Sequence, residues 1–237
     1  MNYKIVIPSH KRSDIIGNKV LTMLEKYHIL RSNIYIFVEQ SEIETYTNAL
    51  PGYNIIKGAK GIGKQRETIS KYFGEGEWIV SLDDDVVEIY EHKNPLKDLN
   101  KFIMNTIEKL KSKDLTLCGI YPVNNYFFCQ STTTFDLRFC IGQFKIFKNI
   151  KEVETRSYEL LEDYQNTIMH YLYSGGVMRY NYIRVNANYN RGTGGLKEYR
   201  TLERKCEEVE DFTNEFSEFC KAKKNGFEIA LKRNHKF

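Results

Sequence analysis

Trp78-Ile79-Val80-Ser81-Leu82-Asp83-Asp84-Asp85 is the stretch that decides the fold of this chain. Residues able to fill a sheet interior give way at once to three carboxylates that no core would accept unpaired. The run therefore reads as a short buried strand, Trp78–Leu82, that delivers acids where it ends. In open α/β sheets ligands gather outside the carboxyl ends of the strands, which is where these acids fall. A hard divalent cation held by oxygen ligands is the natural counter-charge. On an extended backbone Asp83 and Asp85 point to the same side, so they can share one ion or a metal–diphosphate pair. A solvated acidic turn with N-capping Asp residues is the plain alternative for the same eight residues.

Upstream of this stretch, strand and helix signals alternate in the manner of a largely parallel sheet. Tyr3–Ile7 reads as the first strand, stopped by Pro8. Ile16, Val20, Met23, Leu24 and Tyr27 fall at helical spacing. Asn33–Val38 is the second strand. Ser41, three residues before Glu44, signals a capping box for a helix carrying Ile43, Tyr46 and Leu50. Pro51-Gly52 turns the chain into a third strand, Tyr53–Lys57, and Gly58 to Gly63 opens a helix over Lys64–Phe73.

Downstream the regularity changes. Leu99, Ile103, Ile107 and Leu110 mark a helix, and Leu115–Tyr121 a strand. Residues 124–148 are rich in β-formers and read as antiparallel strands. Leu161, Tyr164, Ile168 and Leu172 place a helix from about 159 to 173. Asn186–Gly195 reads as a mobile Gly- and Asn-rich loop. Val209, Phe212, Phe216 and Phe219 give a last helix closed near Gly226, before a basic tail.

With 237 residues, 17 Tyr and 14 Phe, the chain has material for one substantial core. No apolar run approaches the roughly 20 residues of a membrane span, and Met1–Pro8 lacks a signal-peptide pattern, so a cytoplasmic protein without membrane contact is expected. Five cysteines form no CxxC pair or zinc spacing and read as reduced thiols. A net charge of +4 permits a polyanionic partner without requiring one. Two nucleotide-binding patterns are excluded. Pro8-Ser9-His10-Lys11-Arg12 stands where a dinucleotide-binding domain needs Gly-x-Gly-x-x-Gly. Gly58-Ala59-Lys60-Gly61-Ile62-Gly63-Lys64 is followed by Gln65 rather than the Ser or Thr of a phosphate loop.

Strand one ending in Pro-Ser-His-Lys-Arg, strand two in Val-Glu-Gln-Ser, a helix start Gly-Lys-Gln-Arg, then Leu-Asp-Asp-Asp: this order resembles the GT-A nucleotide-sugar glycosyltransferases. Ile141 to Lys148 followed by Leu161-Glu162-Asp163-Tyr164 looks like the acceptor strand and acidic motif of inverting members. The resemblance spans roughly residues 3–175. Within that fold it is most like the TET/JBP-associated glycosyltransferases, which act on hydroxylated methyl groups of DNA pyrimidines. It implies an α/β, Rossmann-like domain with a mostly parallel sheet flanked by helices and a small antiparallel acceptor-side extension. Residues 1–90 would form the nucleotide-sugar half and 91–237 the acceptor half with the C-terminal helix and tail.

The activity implied is transfer of a hexose from a UDP-sugar to a hydroxyl, assisted by Mn²⁺ or Mg²⁺, with hydroxymethylpyrimidine in DNA as acceptor. A glycan or protein hydroxyl, or an inactive nucleotide- or DNA-binding module, are the alternatives. By the same resemblance Asp85, with Asp83, would orient the metal, and Asp83 and Asp84 would lie against the donor. His235 in the tail would supply a third metal ligand. Ser9 and Arg12 would contact the nucleoside, Glu39 the base or ribose, and Lys64 and Arg66 the diphosphate. Asp163 would be the general base, with Glu162 the second choice, because inverting transfer needs a carboxylate to take the acceptor's proton. Ordinary turn chemistry, first-turn helix acids and solvated helix faces are the competing explanations for these residues.

Overall fold

The computed structural model describes residues 3–187 and 201–233. The chain runs β1 (Lys4–Pro8), α1 (Val20–Lys26), β2 (Ile34–Val38), α2 (Ile43–Ala49), β3 (Asn54–Lys57), α3 (Ile62–Tyr72) and β4 (Trp78–Leu82). It continues through β5 (Val86–Glu91), β6 (Asn94–Pro95), α4 (Leu99–Lys111), β7 (Leu117–Ile120), β8 (Thr133–Thr134) and β9 (Phe144–Lys148). The remaining elements are α5 (Glu162–Ser174), β10 (Met178–Tyr180), β11 (Ile183–Ala187), α6 (Leu202–Glu215), β12 (Cys220–Ala222) and β13 (Ile229–Leu231).

Eight strands form the central sheet in the order β3-β2-β1-β4-β9-β7-β10-β8. β9 is antiparallel to both of its neighbours and β8 to β10, while the other pairings are parallel. The fold is thus mixed α/β and Rossmann-like, with a mostly parallel sheet between helices. A three-stranded sheet β11-β5-β6 and the hairpin β12–β13 complete it.

The strand sequences explain the layering. Ile5 and Ile7 of β1, Ile34, Ile36 and Val38 of β2, and Val80 and Leu82 of β4 join one core with α1, α2 and α4. The alternate residues Val6, Phe37 and Ile79 join the second core with α3, α5 and α6. Strands apolar on both faces are what a sheet covered on both sides requires. α4 follows its spacing: Leu99, Ile103, Ile107 and Leu110 are buried, and Asp98 caps its start by accepting from the Lys101 amide at 2.9 Å.

Several local expectations are corrected. No capping box forms at Ser41. A 3-10 turn over Gln40–Glu42 precedes α2, whose start has no side-chain cap. Glu42 instead accepts from the Lys11 amide at 2.6 Å. Within 124–148 only Thr133–Thr134 and Phe144–Lys148 are strands. The Asn125 side chain accepts from the Phe127 amide and folds Tyr126–Phe128 into a 3-10 turn. The last helix ends at Glu215. Phe216 and Phe219 are buried as the chain turns into β12, and Gly226, at φ 75°, lies in the β12–β13 turn. Of the loop expected over Asn186–Gly195, Asn186 and Ala187 belong to β11, paired with Glu88 and Val86 of β5. The rest lies outside the described residues. No helix among the described residues is long and apolar enough to cross a membrane. All five cysteines are free thiols, three of them buried.

Candidate active site

Because β1, β2 and β4 run parallel, Ser9 and Arg12, Glu39, and Asp83 to Asp85 emerge at one edge of the sheet. β9 enters in the opposite sense, so the residues before it arrive at that edge too. The Asp83 amide donates to the Gln143 carbonyl at 3.1 Å. The first turn of α5 completes the group, with Asp163 Oδ2 accepting from the Gly142 amide at 2.9 Å.

The three aspartates do not continue the strand. They occupy a turn in which the Val86 amide donates to the Asp83 carbonyl. Strand alternation therefore does not place Asp83 and Asp85, and the two diverge in their partners. Asp84 is braced from β1: Ser9 Oγ donates to its Oδ2 at 2.6 Å and Arg12 Nη1 to its Oδ1 at 2.6 Å. Ser9 also bonds the Tyr46 hydroxyl, which accepts from the Arg12 amide at 3.0 Å. Ser9 and Arg12, expected to meet a nucleoside, thus fix the acid turn. Asp85 lies 3.8 Å from Arg12 and is also under the charge of Lys19. Burial, reinforced by Asp83 and Asp84, pushes its carboxyl up to about 6.

Arg66 is the centre of the arrangement. The sequence reading turned it toward a diphosphate, but it is buried beneath the turn. Its guanidinium donates to Ser81 Oγ, to Asp83 Oδ1 at 3.1 Å and to the Gly142 carbonyl at 3.2 Å, and it faces Glu162 at 3.5 Å. Burial would lower its pKa, but Glu162, Asp83 and Asp163 outweigh that and hold it raised. Arg66 therefore joins the acid turn to the start of β9 and to α5. Asp83 is raised by burial and by the nearby carboxylates, with Arg66 opposing.

Glu162 and Asp163 are adjacent but differ in environment. Glu162 is buried between Arg66 and Arg156 Nε, the latter at 3.4 Å. Burial would raise it, and Lys145, Arg66 and Arg156 outweigh burial and keep it lowered. It is a fixed anion. Asp163 is raised, by burial first and by Glu162 second. Its Oδ1 has no hydrogen-bond partner. Glu162 Oε2 is likewise buried without a hydrogen-bond partner, so proton affinity is what separates the two acids: the raised one suits a general base and the lowered one does not.

Beneath the pair lies a polar network. Lys145, in mid-β9 and 1 % exposed, donates to Asn166 Oδ1 at 2.6 Å. Asn166 donates to Glu154 Oε1, which also meets His170 Nε2 at 2.7 Å, and Arg156 Nη2 donates to Glu154 Oε2 at 2.7 Å. His170 Nδ1 pairs with Thr116 Oγ1 at 2.8 Å. His170 is a core residue, fully buried on α5. Sequence reading missed Lys145, Glu154, Arg156 and Asn166. A lysine within Phe144-Lys145-Ile146-Phe147 looks solvent-facing, and its partner comes from another element. Gly142 carried a fainter signal, a glycine just before a strand, where a backbone often makes a close approach.

The remaining expected residues are dispersed. Lys64 is exposed on α3. Glu39 lies 3.9 Å from His10, which pairs with Glu42 at 2.9 Å. His10, Glu39 and Glu42 are the one group of three potential ligands within 4.8 Å of one another among the described residues. His235 lies outside the described residues. The acid turn nevertheless fits a hard cation: its donors are carboxylate oxygens, and Asp85 stays raised although Arg12 and Lys19 both oppose the shift. Asp85 would be the direct ligand, with Asp83 constrained by Arg66.

No protein-family model matches the chain, and no curated protein matches its sequence. Among solved structures, the bifunctional IspDF from Campylobacter jejuni is similar over 85 % of this chain at 12 % identity, with a TM-score of 0.44. The match spans 52 % of that chain.

Proposed function

We propose that this protein is a metal-dependent, inverting glycosyltransferase of the GT-A type. It would move a hexose from a UDP-sugar to a hydroxyl, with hydroxymethylpyrimidine in DNA as the acceptor. The observation that carries this reading is the junction at Arg66, which sets the acid turn after β4 beside a carboxylate of raised proton affinity on α5. The strand order β3-β2-β1-β4, with an antiparallel strand next to β4, supports the GT-A assignment.

In this reading the UDP diphosphate lies against Asp83 to Asp85. Asp85, with Asp83, would hold a Mn²⁺ or Mg²⁺ ion there, which would supply positive charge to the departing diphosphate. Asp163 accepts the acceptor hydroxyl's proton. The acceptor oxygen bonds the anomeric carbon from the face opposite the diphosphate as the sugar–phosphate bond breaks. Glu162 anchors Arg66, and Arg66 holds the turn and the Gly142 backbone in register with the base.

The test is a donor screen of UDP-glucose, UDP-GlcNAc and UDP-galactose with Mn²⁺, on hydroxymethylated and unmodified DNA. UDP release with a hexose mass gain confined to hydroxymethylated DNA is the expected result. Donor hydrolysis without transfer to DNA would overturn the acceptor assignment and retain the donor chemistry. Absence of metal-assisted UDP binding would overturn the transferase reading.

A further inference from the structure

We infer that the loop from Tyr121 to Cys129, with Lys93 and Arg184 beside it, is a docking surface for single-stranded nucleic acid. It would stack unpaired bases next to the acid turn. Phe127 is 83 % exposed, Phe128 55 %, Val123 47 % and Tyr126 39 %, a concentration of apolar surface at one loop. The loop is tied down at both ends: the Tyr121 amide donates to the Ile183 carbonyl at 2.9 Å, and the Gln130 amide to Asn181 at 3.0 Å. Its rings are therefore presented by a braced turn.

The surroundings select the occupant. Lys93 Nζ lies 4.9 Å from the centre of the Tyr126 ring. Arg184 stacks over Tyr90 at 4.2 Å and donates to Asn124 Oδ1. Of the two acids of β5, Glu88 is committed to Lys26 and the Tyr27 hydroxyl, and Glu91 stands exposed at the strand end beside Asn94. Exposed rings bordered by cations match a polymer that carries planar bases on an anionic backbone. A neutral glycan would stack on the rings and accept hydrogen bonds from Lys93 and Arg184, but would gain no charge attraction from them. A protein partner would favour a broad apolar centre over three rings and a cationic border.

The position links the surface to the site. β7 is parallel to β4, so the loop that follows β7 rises from the edge that carries Asp83 to Asp85. With one strand between them, β7 and β4 are about 10 Å apart. Asn124 Nδ2 also donates to Asn186, whose neighbour Ala187 pairs with Val86, the residue after Asp85. That the strand bound here is the acceptor rests on the transferase reading; the binding surface does not.

The experiment measures fluorescence anisotropy of a labelled single-stranded DNA of about 12 nucleotides, a length one such platform covers, against the full chain over a salt series. Phe127→Ala should weaken binding by about 5- to 100-fold, the cost of losing one stacked base. Lys93→Ala should lower the slope of log affinity against log salt by about 0.7. Both variants should keep the wild-type thermal midpoint, since both side chains are exposed. Wild-type affinity in Phe127→Ala, no DNA binding at low salt, or tighter binding of a neutral oligosaccharide would each overturn the proposal. UDP titration of the same preparation separates the two readings. Failure there removes the transferase and leaves the DNA result standing.

Discussion

Gly142→Ala isolates the junction on which the site depends. A Cβ at this position would lie 2.5 Å from Asp163 Oδ1, 2.7 Å from Arg66 Nη2 and 3.0 Å from Asp163 Oδ2. Ordinary contacts of this kind begin near 3.4 Å, so the carboxylate and the guanidinium must each retreat by roughly 0.7–0.9 Å. Neither is free to swing. Asp163 is held by the Gly142 amide, and Arg66 by Ser81, Asp83, the Gly142 carbonyl and Glu162. Overpacking of this size costs about 1–3 kcal/mol, and a displacement approaching 1 Å at a reacting group costs about 100-fold in rate. The assays are urea denaturation, UDP titration with Mn²⁺, and UDP release with hydroxymethylated DNA. The expected variant is folded, weakened by that amount and close to wild type in UDP affinity, with kcat down about 100-fold. Wild-type kcat together with wild-type stability would refute the claim that Gly142 leaves room for Asp163 and Arg66 to meet.

Other perturbations read neighbouring parts of the site. Asp85 is raised to about 6 in the folded chain, so the stability linked to it is fully present below its unfolded value and lost as pH rises through about 6. Asp85→Asn should therefore stabilise the metal-free protein at pH 7 by about 1–3 kcal/mol while abolishing metal-assisted UDP binding; a less stable variant would contradict the charge crowding described. Arg66→Met leaves Glu162 in a buried setting with one guanidinium fewer and should cost about 3–5 kcal/mol by denaturant unfolding, and a cost well under 1 would show the junction to be peripheral. Asp163 is raised by burial and Glu162, so kcat should climb with pH along a limb lying above the usual carboxylate range. Asp163→Asn should keep UDP affinity and lose both transfer and that limb, and unchanged transfer would remove Asp163 from the base role.

Legibility from sequence followed the range of the forces involved. β4 was readable to the residue because an apolar run meeting three acids is a local event, and α4 because its apolar stripe lies in one segment. The Ser41 signal failed because Ser41 lies within the 3-10 turn Gln40–Glu42, so α2 starts at Ile43 and neither Ser41 nor Glu44 stands where a capping box needs it. β5 was invisible, since its pairing strand β11 lies far along the chain. The aromatic spacing that joined Phe216 and Phe219 to α6 reflected a shared core, which a turn and a hairpin fill as well as a helix does. At the site, the three aspartates were picked out from their own segment and Asp163 through the family resemblance. Arg66 was found but aimed outward, because its direction is set by Ser81, Gly142 and Glu162 from three other places in the chain.

A charged amine in mid-sheet also constrains how the chain assembles. β9 enters between β4 and β7, carrying Lys145 opposite Ser81 on one side and Gly119 on the other. Until α5 brings Asn166 to that amine, seating β9 would bury an ammonium without its partner, at a cost of several kcal/mol. β9 and α5 therefore dock together, and their amide protons should exchange with solvent as one cooperative unit. During synthesis the parallel strands β1 to β4 can pair as soon as they emerge, but β4 then stands as an unprotected edge. It stays open until the chain has left the ribosome through Ser174, which makes the interval between β4 and α5 the period of greatest exposure to aggregation.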